Sequence, residues 1–205
     1  MTDRKQLSHD RIVEAASRAI RREGFHGVGV ADIMKEAGLT HGGFYAHFES
    51  KDALLAEAVG RAGIDAYDHL SVRMAQHRAR GDSPFSALVK AYLGQAHAQG
   101  RETGCPIAAL VSEIPRQPAE ARAVFLHRVE GFILRIQQAL PAPAHRDMAA
   151  QVSSTLIGTL QLARLFGADT PQGRRLLRQA QQSLIRQYDR ACDGGADAEP
   201  ADRLA

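Results

Sequence analysis

The 205-residue chain is predicted to be all-α, with a three-helix helix-turn-helix module at its N-terminus and a larger helical domain behind it. Three observations predict this. Apolar residues recur at three- and four-residue steps through almost the whole chain, and no stretch alternates in the two-residue period of a strand. Glycine, proline and Ser/Thr caps fall where each periodic run stops and the next begins. Between Gly29 and Lys51, two short apolar-faced segments flank a glycine stop, the pattern of two helices about a tight turn. A hydrophobic content of 44% is enough for a proper core.

In chain order, Ser8 can cap a first helix, Ser8–Glu23, whose Ile12, Ala16, Ala19 and Ile20 form one apolar stripe. Arg18, Arg21 and Arg22 fall on its other side, either as a solvated face or as phosphate contacts beside a groove. Gly24 ends the helix. Val30, Ile33, Met34 and Ala37 give the next helix its apolar face, and Gly38 stops it. Leu39 is an apolar plug and Thr40 an N-cap for a second motif helix, His41–His47. That helix turns Phe44 and Phe48 inward and leaves His41, Gly42, Gly43, Tyr45 and His47 outward. Ser50 caps the following helix, with Asp52 near its positive end.

Lys51 to about Arg80 reads as one long helix, with Leu54, Leu55, Ala58, Val59, Ala62, Leu70 and Met74 as its buried positions. Gly60 and Gly63 lie inside it, each costing roughly 1 kcal/mol against alanine. Ser83-Pro84 opens a helix through Phe85, Leu88, Val89, Tyr92 and Leu93 to about Gln99, closed by Gly100. Cys105-Pro106 opens a short one ending before Pro115. Pro118 starts another, running through Val124, Phe125, Val129, Phe132, Ile133 and Ile136 to Leu140. His145–Phe166 carries Met148, Val152, Leu156, Leu160 and Ala163 on one ridge. Thr170-Pro171 caps the last helix, with Leu177, Ala180, Leu184, Tyr188 and Ala191 in register. The tail 193–205 has the composition of a disordered segment.

The second motif helix has the small and hydrogen-bonding residues that a major-groove reader needs. Adjacent glycines are costly in so short a helix, and close approach of the backbone to DNA accounts for them. In its spaced set of residues the stretch resembles the N-terminal module of the tetracycline-repressor (TetR) family of bacterial regulators. The set comprises Gly24-Phe25, Val30, Asp32-Ile33, Glu36-Ala37-Gly38, Gly42, Phe44-Tyr45, His47-Phe48, Ser50-Lys51 and Leu54-Leu55. It covers roughly the first quarter of the chain. The resemblance implies an all-helical homodimer that binds double-stranded operator DNA. It places Tyr45 and Lys51 on phosphates and Thr40 to Gly43 in the groove, and His41 and His47 suit base edges or phosphates. The domains expected on this basis are 1–50 for DNA binding, 51–192 for effector binding and dimerisation, and the tail. Two positions depart from the family pattern. Gly29 stands where Ser or Thr usually opens the first motif helix, so its side-chain cap is expected to be missing. Gly43 stands where a larger residue is common.

Charge adds little to this reading. The net charge is +3, and residues 1–55 hold eight basic and eight acidic side chains, so the module is neutral. DNA binding then rests on motif geometry, and a modest salt slope is expected. No 18-residue apolar run or signal-peptide core occurs, so a cytoplasmic location is expected. Cys105 and Cys192 make no disulfide framework, which fits a reducing compartment.

Two further sites are candidates. Cys105, at or near the N-cap before Pro106, is either a small buried residue or a thiol whose thiolate the helix dipole favours. In the second case it could sense electrophiles or oxidants. Tyr92, Leu110, Phe125 and Phe132, with Phe85 and Leu160, are either plain core or the walls of an apolar effector pocket. His97, Glu113 and His127 are the polar groups on hand. The stripes of the last two helices face either the protomer's core or a two-fold mate. Nine histidines show no HExxH or Cys/His cluster, and GxSxG, Walker A and strand-borne GxGxxG are absent. The sequence therefore points to no cofactor, no metal and no enzyme. The expectation is a repressor released by a small molecule or an electrophile or oxidant. The alternatives are an effector-independent DNA-organising protein and, last, a helical enzyme with an unrecognised site.

Overall fold

The computed structural model describes residues 2–189, and the tail 193–205 together with Cys192 lies outside them. Nine α-helices occur among the described residues: α1 Thr2–Glu23, α2 Val30–Glu36, α3 Lys51–Arg78, α4 Pro84–Tyr92, α5 Gln95–Gln99, α6 Pro106–Leu110, α7 Ala119–Ala139, α8 Ala149–Leu165 and α9 Pro171–Tyr188. Short 3₁₀ turns span His41–Ala46, Ile114–Arg116 and Pro143–Met148. None of the described helices is long and apolar enough to cross a membrane.

The 28-residue α3 is the spine. Its first turns carry Leu54, Leu55 and Ala58 into the same core as Ile12, Ala16 and Ile20 of α1 and Phe44 and Phe48 of the motif. Farther along it packs on α4 and α7. The helices α8 and α9 pair with each other, and α9 closes over α4. Capping chemistry sets several boundaries as expected: Ser50 Oγ accepts from the Ala53 amide at 3.1 Å, Ser83 Oγ from Ser86 at 2.9 Å, and Thr170 Oγ1 from Gly173 at 3.1 Å. Gly38 has φ +69, a left-handed conformation that favours glycine, and the Arg11 guanidinium lies over it.

Three expected features differ, and one that the sequence left open is resolved. The first helix begins at Thr2, six residues before Ser8, and the Ser8 hydroxyl donates back to the Arg4 carbonyl at 3.1 Å instead of capping. The helix opened by Pro84 stops at Tyr92, because the apolar period ends at Leu93 and Gly94 turns the chain into α5. The helix read from His145 starts as a 3₁₀ turn and becomes α-helical at Ala149. The stripes of the last two helices face inward: Val152, Leu156 and Leu160 of α8 and Leu177, Leu184 and Tyr188 of α9 are buried within the protomer. What α8 leaves exposed is a different face, with Thr155, Leu162, Leu165 and Phe166.

Candidate nucleic-acid interface and effector cavity

The motif is assembled from the bottom by its core. Phe44 and Phe48 are buried, their rings stacked at 5.7 Å between centroids, and Met34 of α2 lies beneath them fully buried. This anchoring throws the residues between them outward. Tyr45 is 74% exposed, and Thr40, His41 and Gly42 are exposed beside it. The segment His41–Ala46 adopts a tight 3₁₀ turn rather than the α-helix expected over His41–His47. Thr40 has the extended backbone of an N-cap, but its hydroxyl makes no capping bond, so it is free for an outside partner. Gly29 likewise caps α2 without a side chain.

A Cβ built on Gly42 would meet nothing within 4 Å, and one on Gly43 only ordinary contacts with Met34 and Thr40. Nothing inside the protein therefore requires either glycine. Lys51 is partly committed: its ammonium donates to the Val28 carbonyl at 2.6 Å, which ties the loop before α2 to the start of α3. His47 is not on the outer face as expected. It is half-buried near His9 (ring centroids 6.3 Å apart), its Nδ1 finds no partner, and burial lowers its pKa, with the neighbouring His9 and Lys5 adding to the shift.

Arg18, Arg21 and Arg22 of α1 divide in a way the sequence did not indicate. Arg18 pairs with Glu14 at 2.7 Å and Glu36 at 3.4 Å, while Arg22 pairs with Glu23, Glu36 and Glu102. Neither is a free phosphate ligand. Arg21 is neither solvated nor near a groove; it is 5% exposed. Its guanidinium donates to Ser17, to Asp65 of α3 and to the carbonyls of Ala62 and Gly104. It bolts α1 to α3 and to the turn before α6. A second bolt lies nearby, where the Phe25 amide donates to Glu113 Oε2 at 2.9 Å. Glu113 is thus a link between the motif and the segment after α6, not a pocket residue as expected.

Behind the motif, a cavity of about 240 Å³ lies between α3 and α7, floored by Tyr92, His97 and Cys105. Its mouth is at the exposed Tyr67, His127 and Gly131. Tyr92 and Phe132 line it, stacked at 5.1 Å. Phe125, Leu110, Phe85 and Leu160, expected as walls, lie elsewhere in the core and are almost wholly buried there. His97 is fully bonded: Nδ1 donates to the Tyr92 carbonyl at 2.5 Å, and Nε2 accepts from the Cys105 amide at 3.0 Å. Burial pushes its pKa down to about 4 and outweighs that carbonyl contact, so the ring is neutral. Arg164 of α8 caps the end of α5, donating to the carbonyls of His97, Ala98 and Gly100.

Cys105 is the N-cap of α6 as expected, yet its thiol is not activated. Burial raises its pKa, outweighing the nearby Tyr92 hydroxyl and the α6 amides that lower it. The Tyr92 hydroxyl and the thiol perturb each other but form no well-aligned hydrogen bond. The cavity-facing cations Arg128 and Arg135 were not singled out from the sequence. Only their spacing of seven on α7, which puts both on one face, could have signalled them.

This geometry can be set against known proteins. Residues 12–58, from α1 into α3, match the sequence model of the bacterial regulatory proteins, tetR family. The chain belongs to the TetR family. Among curated relatives, this TetR-family chain is 40% identical over 52 residues to the HTH-type regulator YdgC of Bacillus subtilis, a stretch covering 25% of this chain and 27% of that protein. It is 28% identical over 138 residues to the transcriptional regulator AcuR of Cereibacter sphaeroides, 64% of this chain and 60% of that one. The chain thus spans less than two thirds of the length of either relative. Its fold is that of solved TetR-family structures. A regulator from Chloroflexus aurantiacus superposes with TM-score 0.67 at 22% identity, over 91% of this chain and 98% of that one. Reduced NemR of Escherichia coli gives 0.70 at 17% identity, over 87% and 95%.

Proposed function

We propose that this chain is a cytoplasmic transcriptional repressor that binds a palindromic operator as a homodimer and releases it when a small effector enters the α3/α7 cavity. The observation carrying the reading is the outer face of the motif: Thr40, His41, Gly42 and Tyr45 stand exposed on a turn held from behind by Phe44 and Phe48. The open space around Gly42 fits the approach of a duplex, since no intramolecular contact explains the glycine. In this reading Thr40 to Gly43 meet base edges, while Tyr45 and the free donors of Lys51 take phosphates. His47 acts from behind, setting the tilt of the turn. Residues 1–50 read DNA; residues 51–192 dimerise and sense.

A two-fold dimer is what lets two such turns reach half-sites about 34–36 Å apart. The surface that suits the partner copy is the exposed face of α8, where Leu162, Leu165 and Phe166 are unpartnered in the protomer and a Cβ on Gly158 would meet nothing. The cavity lies beside α6, and α6 is linked to the motif through Arg21–Gly104 and Glu113–Phe25. A ligand that shifts α6 would shift the motif, by no more than its differential affinity for the two arrangements. The buried, un-ionised Cys105 favours reversible binding over thiol chemistry as the signal. Electrophile release remains the second arm, because Cys105 faces the cavity.

The test is fluorescence anisotropy with DNA flanking the coding sequence, against random-sequence competitor at physiological salt. A specific regulator prefers its operator by ~10³ or more, and Tyr45→Ala abolishes that preference. Equal binding to random DNA would instead indicate the DNA-organising protein. Electrophile-induced release that persists unchanged in Cys105→Ser removes the thiol arm.

A further inference from the structure

The wall of the α3/α7 cavity carries two guanidinium groups and no carboxylate. Arg135 is held by neutral partners: it donates to Ser71 Oγ at 2.8 Å and to the Tyr67 carbonyl at 3.4 Å, and its guanidinium carbon lies 4.2 Å above the Tyr67 ring. Arg128 reaches the cavity across α3 at Gly63, where a Cβ would come within 2.6 Å of Arg128 Cδ and 2.7 Å of Nε. A glycine inside a long helix is costly, and here it is what gives the arginine passage. Arg128 Nε is then buried without a hydrogen-bond partner, as is the Tyr92 hydroxyl deeper in. Among the described residues, neither arginine has an acidic partner within ion-pair distance. Half-buried cations lacking a counter-charge are unfavourable until an anion arrives. Burial accordingly lowers the pKa of Arg135, opposed only by Tyr67.

Size and polarity narrow the anion further. A void of about 150 Å³ suffices for benzene, so about 240 Å³ accommodates one ring with a small substituent. Leu70, Ile107 and Phe132 give that ring an apolar bed. Burial keeps the Tyr92 phenol protonated, well above its ordinary range, so it serves as a donor at the inner end. A cationic ligand would face two like charges. A neutral one would leave both uncompensated.

From these observations we infer that the cavity binds a small monocyclic carboxylate, its carboxylate held by Arg128 and Arg135 and its ring set against Phe132 and Ile107. Arg128 offers the unpartnered Nε–H; Arg135 supplies a second positive charge in fixed orientation. The inference names the chemical class of the effector and rests on the effector reading above.

The test is titration calorimetry on the full chain at pH 7.5 with three acids, benzoate, phenylacetate and cyclohexanecarboxylate, each beside its own neutral amide. At least one acid should bind tenfold or more tightly than its amide, and should weaken as salt is raised. Arg128→Met should cost that acid tenfold or more and leave the amide unchanged, while Arg128→Lys keeps part of the affinity. If Arg128→Met does not fold, Arg135→Met makes the same comparison. The inference is overturned if no acid outbinds its amide, or if removing a guanidinium leaves acid binding intact. Operator release is read separately. An acid that binds without releasing DNA upholds the ligand class and defeats the effector reading; release by the amides alone does the reverse.

Discussion

Arg21 offers the sharpest test of how the N-terminal module is fixed to the rest of the chain. Its side chain is almost fully buried, and its five N–H donors serve Ser17, Asp65 and two main-chain carbonyls from α3 and the turn before α6. Arg21→Met keeps much of the stem's volume but deletes every one of these bonds. Removing one member of a buried ion pair commonly costs about 3–5 kcal/mol, because the other charge is stranded. Asp65 is only partly stranded, since Arg61 also holds it at 2.7 Å and its side chain is 19% exposed. The lower end, about 3 kcal/mol, is therefore expected. In a chain of this size each kcal/mol moves Tm by roughly 2–4 °C, so the melt should fall by about 6–12 °C. Circular dichroism at 222 nm reads it directly. Asp65→Asn strands the more deeply buried Arg21 cation but leaves it its carbonyl partners, and should cost a comparable amount. An Arg21→Met protein melting within ~2 °C of wild type would refute the account, and with it the claim that this residue couples the motif to α6.

Three other outcomes follow from named contacts. Gly42→Ala should raise stability by about 0.4–1 kcal/mol, since its Cβ meets nothing and the unfolded chain loses freedom. The same methyl would stand at the DNA face and should lower operator affinity at least fivefold by anisotropy (order of magnitude); improved binding would remove the close-approach argument. His97 gives a pH signature: its folded pKa of about 4 lies below the ordinary 6.5, so between those values the unfolded chain holds the extra proton. Stability is full above pH 6.5 and falls as pH drops toward 4, by about 3 kcal/mol in all. His97→Gln should flatten that part of the profile in denaturant melts, and an unchanged slope would show that other groups set it. Leu162→Asp with Leu165→Asp, on the exposed face of α8, should yield a monomer by light scattering without lowering Tm much. A persistent dimer would place the two-fold elsewhere.

What the sequence determined by itself was whatever depends on short-range periodicity and caps. The apolar faces of α1 and α2, the Gly38 stop, the Ser50, Ser83 and Thr170 caps and the inward pair Phe44 and Phe48 were all legible, because each is decided by neighbours within a turn or two. The outward placement of Tyr45 followed from the same logic. Periodicity fixes a direction around a helix axis but not what lies in that direction. Only the tertiary packing decided that the stripes of α8 and α9 meet each other and the rest of the protomer, leaving Leu162, Leu165 and Phe166 outside. It alone buried Arg21, an arginine like its neighbours in sequence, by bringing Asp65 and Gly104 from 44 and 83 residues away. It also moved Phe125 and Leu110 out of the cavity wall and put Arg128 and Arg135 into it, opposite a glycine in another helix. Charge and burial are properties of the assembled surroundings, so the site chemistry became readable only once α3 and α7 were laid side by side.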